Sequence, residues 1–183
     1  MYRITQCLSV GPFASPERAP ALRAAGVTHV LNVSESPSTA FGGDGPFAEV
    51  AWLPLEDHRR LSFARAAEAM NTLHRLVSTP GAHVYVHCMA GVLRSPTVIW
   101  LYLIACGLSE RDARELIEAR SLEAVAGHFR MVDDEHVLFA QKHGLEHFFP
   151  LARGEVIRPA EQRVAERASV IDDRRPGDEP GVV

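Results

Sequence analysis

Apolar positions along the chain follow two rhythms. Short aliphatic runs bounded by Gly, Pro and Ser alternate with longer stretches that repeat every three or four residues. That is the pattern of buried strands alternating with amphipathic helices. Ile4 to Val10 reads as a first strand and Val27 to Val33 as a buried one. Val50 to Leu55 reads as a third, with Pro54 near its end, and His83 to His87 as a central one. Pro16 to Ala25 reads as a helix, with Ser15 as N-cap, Pro16 at the first helical position and Gly26 as its stop. Ser62 caps a predicted helix over Phe63 to Val77, whose Ala66, Met70, Leu73 and Val77 share one face. Ser95 to Cys106 is nearly all apolar, so a helix there is buried on most sides, and Gly107 ends it. Ser109 with Asp112 makes a capping-box-like start for a helix from Glu110 to Arg120. A last helix is expected from Met131 to His143, closed by Gly144. Ser34 to Pro46 lacks periodicity and reads as a loop.

This alternation predicts an α/β fold, a central and largely parallel twisted sheet flanked by helices. One domain is expected over 1–149. After Pro150 large apolar residues become sparse, so 150–183 reads as a polar C-terminal extension, partly disordered. A length of 183 residues suits one domain with a real core. A formal charge of −4 gives no general reason to expect nucleic acid or an acidic membrane as partner. The three cysteines, Cys7, Cys88 and Cys106, are odd in number and widely spaced, unlike a disulfide framework. The N-terminus lacks the basic start and apolar run of a signal peptide. The longest apolar helix falls short of the ~20 residues a membrane span needs. A cytoplasmic, reducing location is the expectation.

Chemistry concentrates in His87-Cys88-Met89-Ala90-Gly91-Val92-Leu93-Arg94-Ser95. A strand, a loop of small uncharged residues and a helix start make an anion cradle, because loop N–H groups and the helix dipole converge on it. Met89, Ala90, Gly91, Val92, Leu93 and Arg94 are the candidate phosphate binders, and Arg94 adds a planar fork for two oxygens. Cys88 sits at the bottom of that hole, where a thiolate is favoured and can attack phosphorus. Ser95 is placed to donate a hydrogen bond to the sulfur. A leaving oxygen needs a proton from another loop. Asp57, just past a predicted strand end in Leu53-Pro54-Leu55-Glu56-Asp57-His58, is the better candidate, and Glu56 is its competitor.

His87-Cys88, Gly91 and Arg94-Ser95 match the HCxxGxxRS motif of the cysteine-dependent protein tyrosine phosphatases. More closely, residues 2 to 149 resemble the small, atypical-type dual-specificity protein phosphatases. The opening Ile4 to Gly11 looks like their first strand, Gly26 to Val33 like their "GIT-x-hydrophobic-N" strand, and Leu53 to Asp57 like their acid loop. The resemblance implies a protein tyrosine phosphatase-like fold over 1–149. It implies hydrolysis of phosphate monoesters through a phosphocysteine, with no cofactor and no metal. Substrates would be phosphotyrosine and also phosphoserine or phosphothreonine in proteins. Cys88 would be the nucleophile, Arg94 the phosphate binder and Asp57 the general acid. His87 would help set the thiolate, and Asn32 would brace the cradle.

The chain departs from the pattern in two places. Pro96 stands where Ala, Thr or Gly is usual, which the first helical turn accepts. Ser121 to Arg130 lacks the usual Arg-Pro-x-x-x-Pro-Asn, which changes the substrate-facing rim. The recognition loop of tyrosine-only enzymes is absent, which suggests a shallow pocket. The cradle's lack of lysine argues against a highly phosphorylated inositol head group. Arg59 and Arg60 read as a solvated pair. His143 and His147 read as a surface pair rather than metal ligands, and Cys7 and Cys106 as packing residues. Three alternatives stay open at this point. One is a phosphatase for a nucleotide, sugar or RNA end, another is a phosphate-binding module without turnover, and the third is rhodanese-like sulfur transfer.

Overall fold

In a computed structural model, residues 1–38 and 45–149 are described. The proposed extension at 150–183 and part of the Ser34 to Pro46 loop lie outside them. The aliphatic runs become five short strands, β1 (Tyr2–Arg3), β2 (Leu8–Gly11), β3 (His29–Asn32), β4 (Glu49–Trp52) and β5 (Val84–His87). They form one sheet in the order β1-β2-β5-β3-β4. The β2·β5, β5·β3 and β3·β4 pairs are parallel, and only β1 runs antiparallel to β2. Register aligns Gly11 and Asn32 with His87, and Asn32 with Trp52. Four parallel strands therefore end in one row. Ligands of such sheets bind beyond that end.

Helices α1 (Ala19–Ala24), α2 (Phe63–Val77), α3 (Arg94–Ala105), α4 (Glu110–Glu118) and α5 (Asp134–His143) follow the predicted order. Every residue of α3 is buried, since it packs against α2, α4 and α5 at once. The α2 residues Ala66, Met70 and Leu73 join Leu31, Val86 and Leu101 in the main core. Leu22 of α1, Val30, Phe47 and Tyr85 make a second cluster. Ser62 caps α2 by accepting from Arg65 N, and Ser109 caps α4 by accepting from Asp112 N.

Three elements differ from the sequence reading. Ile4 to Val10 is not one strand. Ile4 and Thr5 N–H groups both donate to the Leu8 carbonyl, and Thr5 Oγ1 accepts from Leu8 N. A local turn satisfies the backbone there, so β1 and β2 form a hairpin. The first helix starts at Ala19, because Ser15 O accepts from Arg18 and Ala19 N and closes a separate turn. Gly144 does not stop α5, and a π-helical turn continues over Gly144–Phe148. A Cβ at Gly144 would lie 1.7 Å from the Ala105 carbonyl oxygen, so this glycine permits close helix packing. His143 is consequently buried and its Nε2 meets Asn71 Oδ1 at 2.7 Å, so it is no surface residue. Among the described residues no helix is long and apolar enough to cross a membrane.

Candidate active site

The cradle leaves β5 at Cys88 and returns as α3 at Arg94. Two flanking segments shape it. Phe13 N donates to Met89 O at 2.9 Å, and Val125 N donates to Val92 O at 2.8 Å. Both loop carbonyls are thus held outward. Planar trans peptides then turn the next N–H groups, those of Ala90 and Leu93, to the opposite side, into the cradle. Gly91 makes the turn possible at φ 79°, a left-handed conformation. It also lies flat on β2, where a Cβ would come 2.4 Å from Gly11 C.

Cys88 is 2% exposed. Its Sγ accepts from Gly91 N at 3.2 Å and from Ser95 Oγ at 3.4 Å. Burial opposes ionisation and is the largest single influence. The hydrogen bonds from Ser95 and Gly91, with the Arg94 charge, together outweigh it and hold the thiol below its ordinary range. The site therefore favours a thiolate at a position reached by loop amides.

Arg94 is 3% exposed and fixed from three directions. Its Nη1 donates to Glu35 Oε2 at 3.3 Å and to Leu55 O at 3.2 Å. Its Nη2 lies 3.3 Å from Asp57 Oδ2. The buried Nε has no partner among the described residues. The Nη1 edge is occupied, and Nε is the donor left for an incoming oxygen. Asp57 is thereby brought beside Arg94, whereas Glu56 pairs outward with exposed Arg59.

Asn32 touches the cradle indirectly. Its Nδ2 donates to Ser36 O and Ser38 Oγ, and its Oδ1 accepts from Ser34 N and Oγ. It therefore braces the loop that carries Glu35. The pattern of polar residues did not single out Glu35, Gly11 or the Leu55 carbonyl, because each acts through a neighbour distant in sequence. Gly91 alone, inside the motif, carried a readable signal.

His87 is fully buried, and its Nδ1 donates to Cys88 O at 3.1 Å. The Nε2 has no partner among the described residues, so the ring is neutral and bears on the carbonyl of Cys88 rather than on its sulfur. Burial pushes its pKa down to about 4. An unfolded histidine titrates near 6.5. Between those values the unfolded chain binds the extra proton, so stability is full above about pH 6.5 and falls as pH drops towards 4. This group contributes on the order of 3 kcal/mol to that loss. Urea unfolding at pH 7 and pH 4.5 should show a smaller pH dependence in His87→Gln than in the wild type.

The family described as the Swiss Army Knife protein, DSP-PTPase phosphatase domain, matches residues 7–135. The chain belongs to this family. Dual specificity protein phosphatase 26 of Bos taurus is 37% identical over 90 residues, which cover 45% of this chain and 41% of that protein. The chain thus matches well under two thirds of the length of that curated relative. The crystal structure of human DUSP28 aligns at 25% identity with a TM-score of 0.59, covering 79% of this chain and 95% of that one. PTPMT1 in complex with PI(5)P shares the fold at 18% identity and a TM-score of 0.61, over 91% of this chain and 97% of that one. The central sheet with flanking helices, expected from the alternating pattern, is the fold of these dual-specificity phosphatases.

Proposed function

We propose that this phosphatase domain hydrolyses phosphate monoesters through a phosphocysteine, acting on phosphotyrosine and on phosphoserine or phosphothreonine in proteins. The observation that carries the reading is Cys88 Sγ held under the Gly91 N–H and the Ser95 hydroxyl beside a buried arginine. The phosphoryl oxygens lodge on the N–H groups from Met89 to Arg94 and on the free Arg94 Nε. The thiolate attacks phosphorus, the P–O bond to the leaving group breaks, and protonated Asp57 delivers its proton to the departing oxygen. The cradle donors stabilise the charge on the transferring group. Water then attacks the phosphocysteine while Asp57, now a carboxylate, takes its proton. Ser95 donates to Sγ as the S–P bond breaks. His87 keeps the Cys88 backbone in place.

Two features support Asp57 over Glu56. Asp57 Oδ2 lies 3.3 Å from the phosphate-binding arginine, and Glu56 is engaged by Arg59. Hydrolysis of an aryl phosphate by the full chain tests the activity itself, and no release would favour a binding module. Asp57→Ala should slow an alkyl phosphate by about 10²-fold, yet slow a nitrophenyl ester far less, because a good leaving group needs no proton. An alkyl phosphate slowed by Glu56→Ala but not by Asp57→Ala would reverse the assignment. Cytoplasmic location belongs to the same reading, because a reducing compartment keeps the Cys88 thiol free to act as nucleophile.

A further inference from the structure

A cavity of about 500 Å³ opens at the opposite end of the sheet from the cradle. Gln6 and Cys7 line it just before β2, Gly26 between α1 and β3, and Gly81, Ala82 and His83 just before β5. Arg3 of β1 completes the wall. Cys88 lies five residues beyond His83, about 16 Å along an extended strand, so the two sites are separate. We propose that this cavity binds a small, flat organic carboxylate, held by the Arg3 guanidinium.

The wall carries one unanswered charge. Arg3 Nη2 donates to His83 Nδ1 at 3.1 Å, and this is its one side-chain bond among the described residues. Nδ1 is therefore the acceptor of the ring, and Nε2 carries the proton, which it donates to Ser9 Oγ at 2.7 Å. His83 is 5% exposed, so a cation rests on a buried neutral imidazole. Burial, and then the Arg3 charge, hold that imidazole below the ordinary histidine range, against a smaller opposing effect of the Gly26 and Ala25 backbone. Arginines at a surface are commonly just solvated. Arg3 differs in being fixed against a buried ring, and no Asp or Glu lines the cavity. One unit of positive charge matches a carboxylate, which accepts two parallel hydrogen bonds from a guanidinium. A phosphate dianion would bring a second charge that no lining residue neutralises.

Shape selects a flat body. Gly26 has φ 85° and Gly81 φ 73°, so both turns favour glycine and leave the wall without Cβ atoms there. A Cβ at Gly81 would meet nothing within 4 Å, so the space beside it is open. Ala82 adds only a methyl group. The wall is also fixed before any ligand arrives. Val84 N donates to the Cys7 carbonyl at 2.8 Å, and the His83 carbonyl accepts from Thr28 N and His29 N. Thr28 Oγ1 accepts from His83 N at 2.9 Å. A preformed cavity loses little ordering entropy on binding, and this one falls within the size range of small-molecule sites.

The test adds benzoate to the full chain in the presence of vanadate, which fills the cradle. The ring resonances of His83 read the cavity directly. Benzoate should shift them with a Kd below about 1 mM, and benzamide, which has the same shape without the charge, should bind at least about tenfold more weakly. Arg3→Gln should weaken benzoate about tenfold. Gln6→Glu sets a carboxylate in the wall and leaves Arg3 in place, and it should weaken benzoate as much. Both variants change exposed side chains and should melt within about 2 °C of the wild type. No saturable shift of His83 by about 10 mM benzoate, equal affinity for benzamide, or binding that survives both variants overturns the proposal. Inorganic phosphate shifting His83 at lower concentration than benzoate overturns the carboxylate assignment.

Discussion

Cys88→Ser is expected to abolish hydrolysis, by at least about 10⁴-fold, while the protein still binds vanadate or a phosphopeptide. The two halves of this expectation have separate causes. A serine hydroxyl stays protonated at neutral pH and has no general base beside it. Neighbouring His87 does not serve, because its Nδ1 donates to the Cys88 carbonyl and its Nε2 makes no hydrogen bond to the atom at the Sγ position, which meets Gly91 N and Ser95 Oγ. Binding depends on other atoms, the cradle amides and the Nε edge of Arg94, which the substitution leaves in place. Released phosphate and bound vanadate, measured on the same preparation, separate the two. Residual hydrolysis within tenfold of the wild type would mean that another group attacks phosphorus. Loss of vanadate binding together with hydrolysis would mean that the sulfur shapes the cradle as well as reacting.

Gly91→Ala is expected to cost about 10³-fold in kcat/KM and to lower stability by about 2–3 kcal/mol. Alanine strongly disfavours φ 79°, the value at Gly91. Its Cβ would also come within 2.4 to 2.8 Å of three backbone atoms of Gly11. Those atoms belong to β2, which is hydrogen-bonded to β5, so the strand cannot withdraw. Gly11 has little room behind it either. A Cβ there would meet Tyr85 Oη at 2.5 Å, and that hydroxyl donates to Pro12 O. The cradle must therefore move instead, which takes the Gly91 N–H from Sγ. A rise in the thiol pKa, followed by thiolate absorbance, should accompany the loss of activity. An Ala variant with normal kcat/KM would show that the loop is not held against β2.

Most of the fold was legible because it rests on local chemistry. The Ser62 cap and the one-face pattern of Ala66, Met70, Leu73 and Val77 marked α2 over the same residues that the structure shows. Continuous apolar character marked α3 as buried all round. Errors arose where two rules share one residue type. Gly144 looked like a helix stop, since glycine commonly ends helices. Its actual constraint is the Ala105 backbone on another helix, which no local window contains. Ile4 to Val10 looked like a strand because apolar content cannot show that Thr5 closes a turn.

The sequence by itself determined the parallel sheet with its helices, the loop between β5 and α3, and the residue types that make that loop an anion cradle. Each follows from periodicity, capping or a fixed short spacing, and all of these act between residues close in the chain. Only the tertiary structure decided which carboxylate meets Arg94, that Glu35 and the Leu55 carbonyl hold its Nη1 edge, and that Gly91 rests on Gly11. Those pairs are separated by 37 to 80 residues, from Asp57 and Arg94 at the near end to Gly11 and Gly91 at the far end. Their contact depends on strand register and on how loops leave one sheet edge, which are set by packing of the whole core rather than by any neighbouring residue.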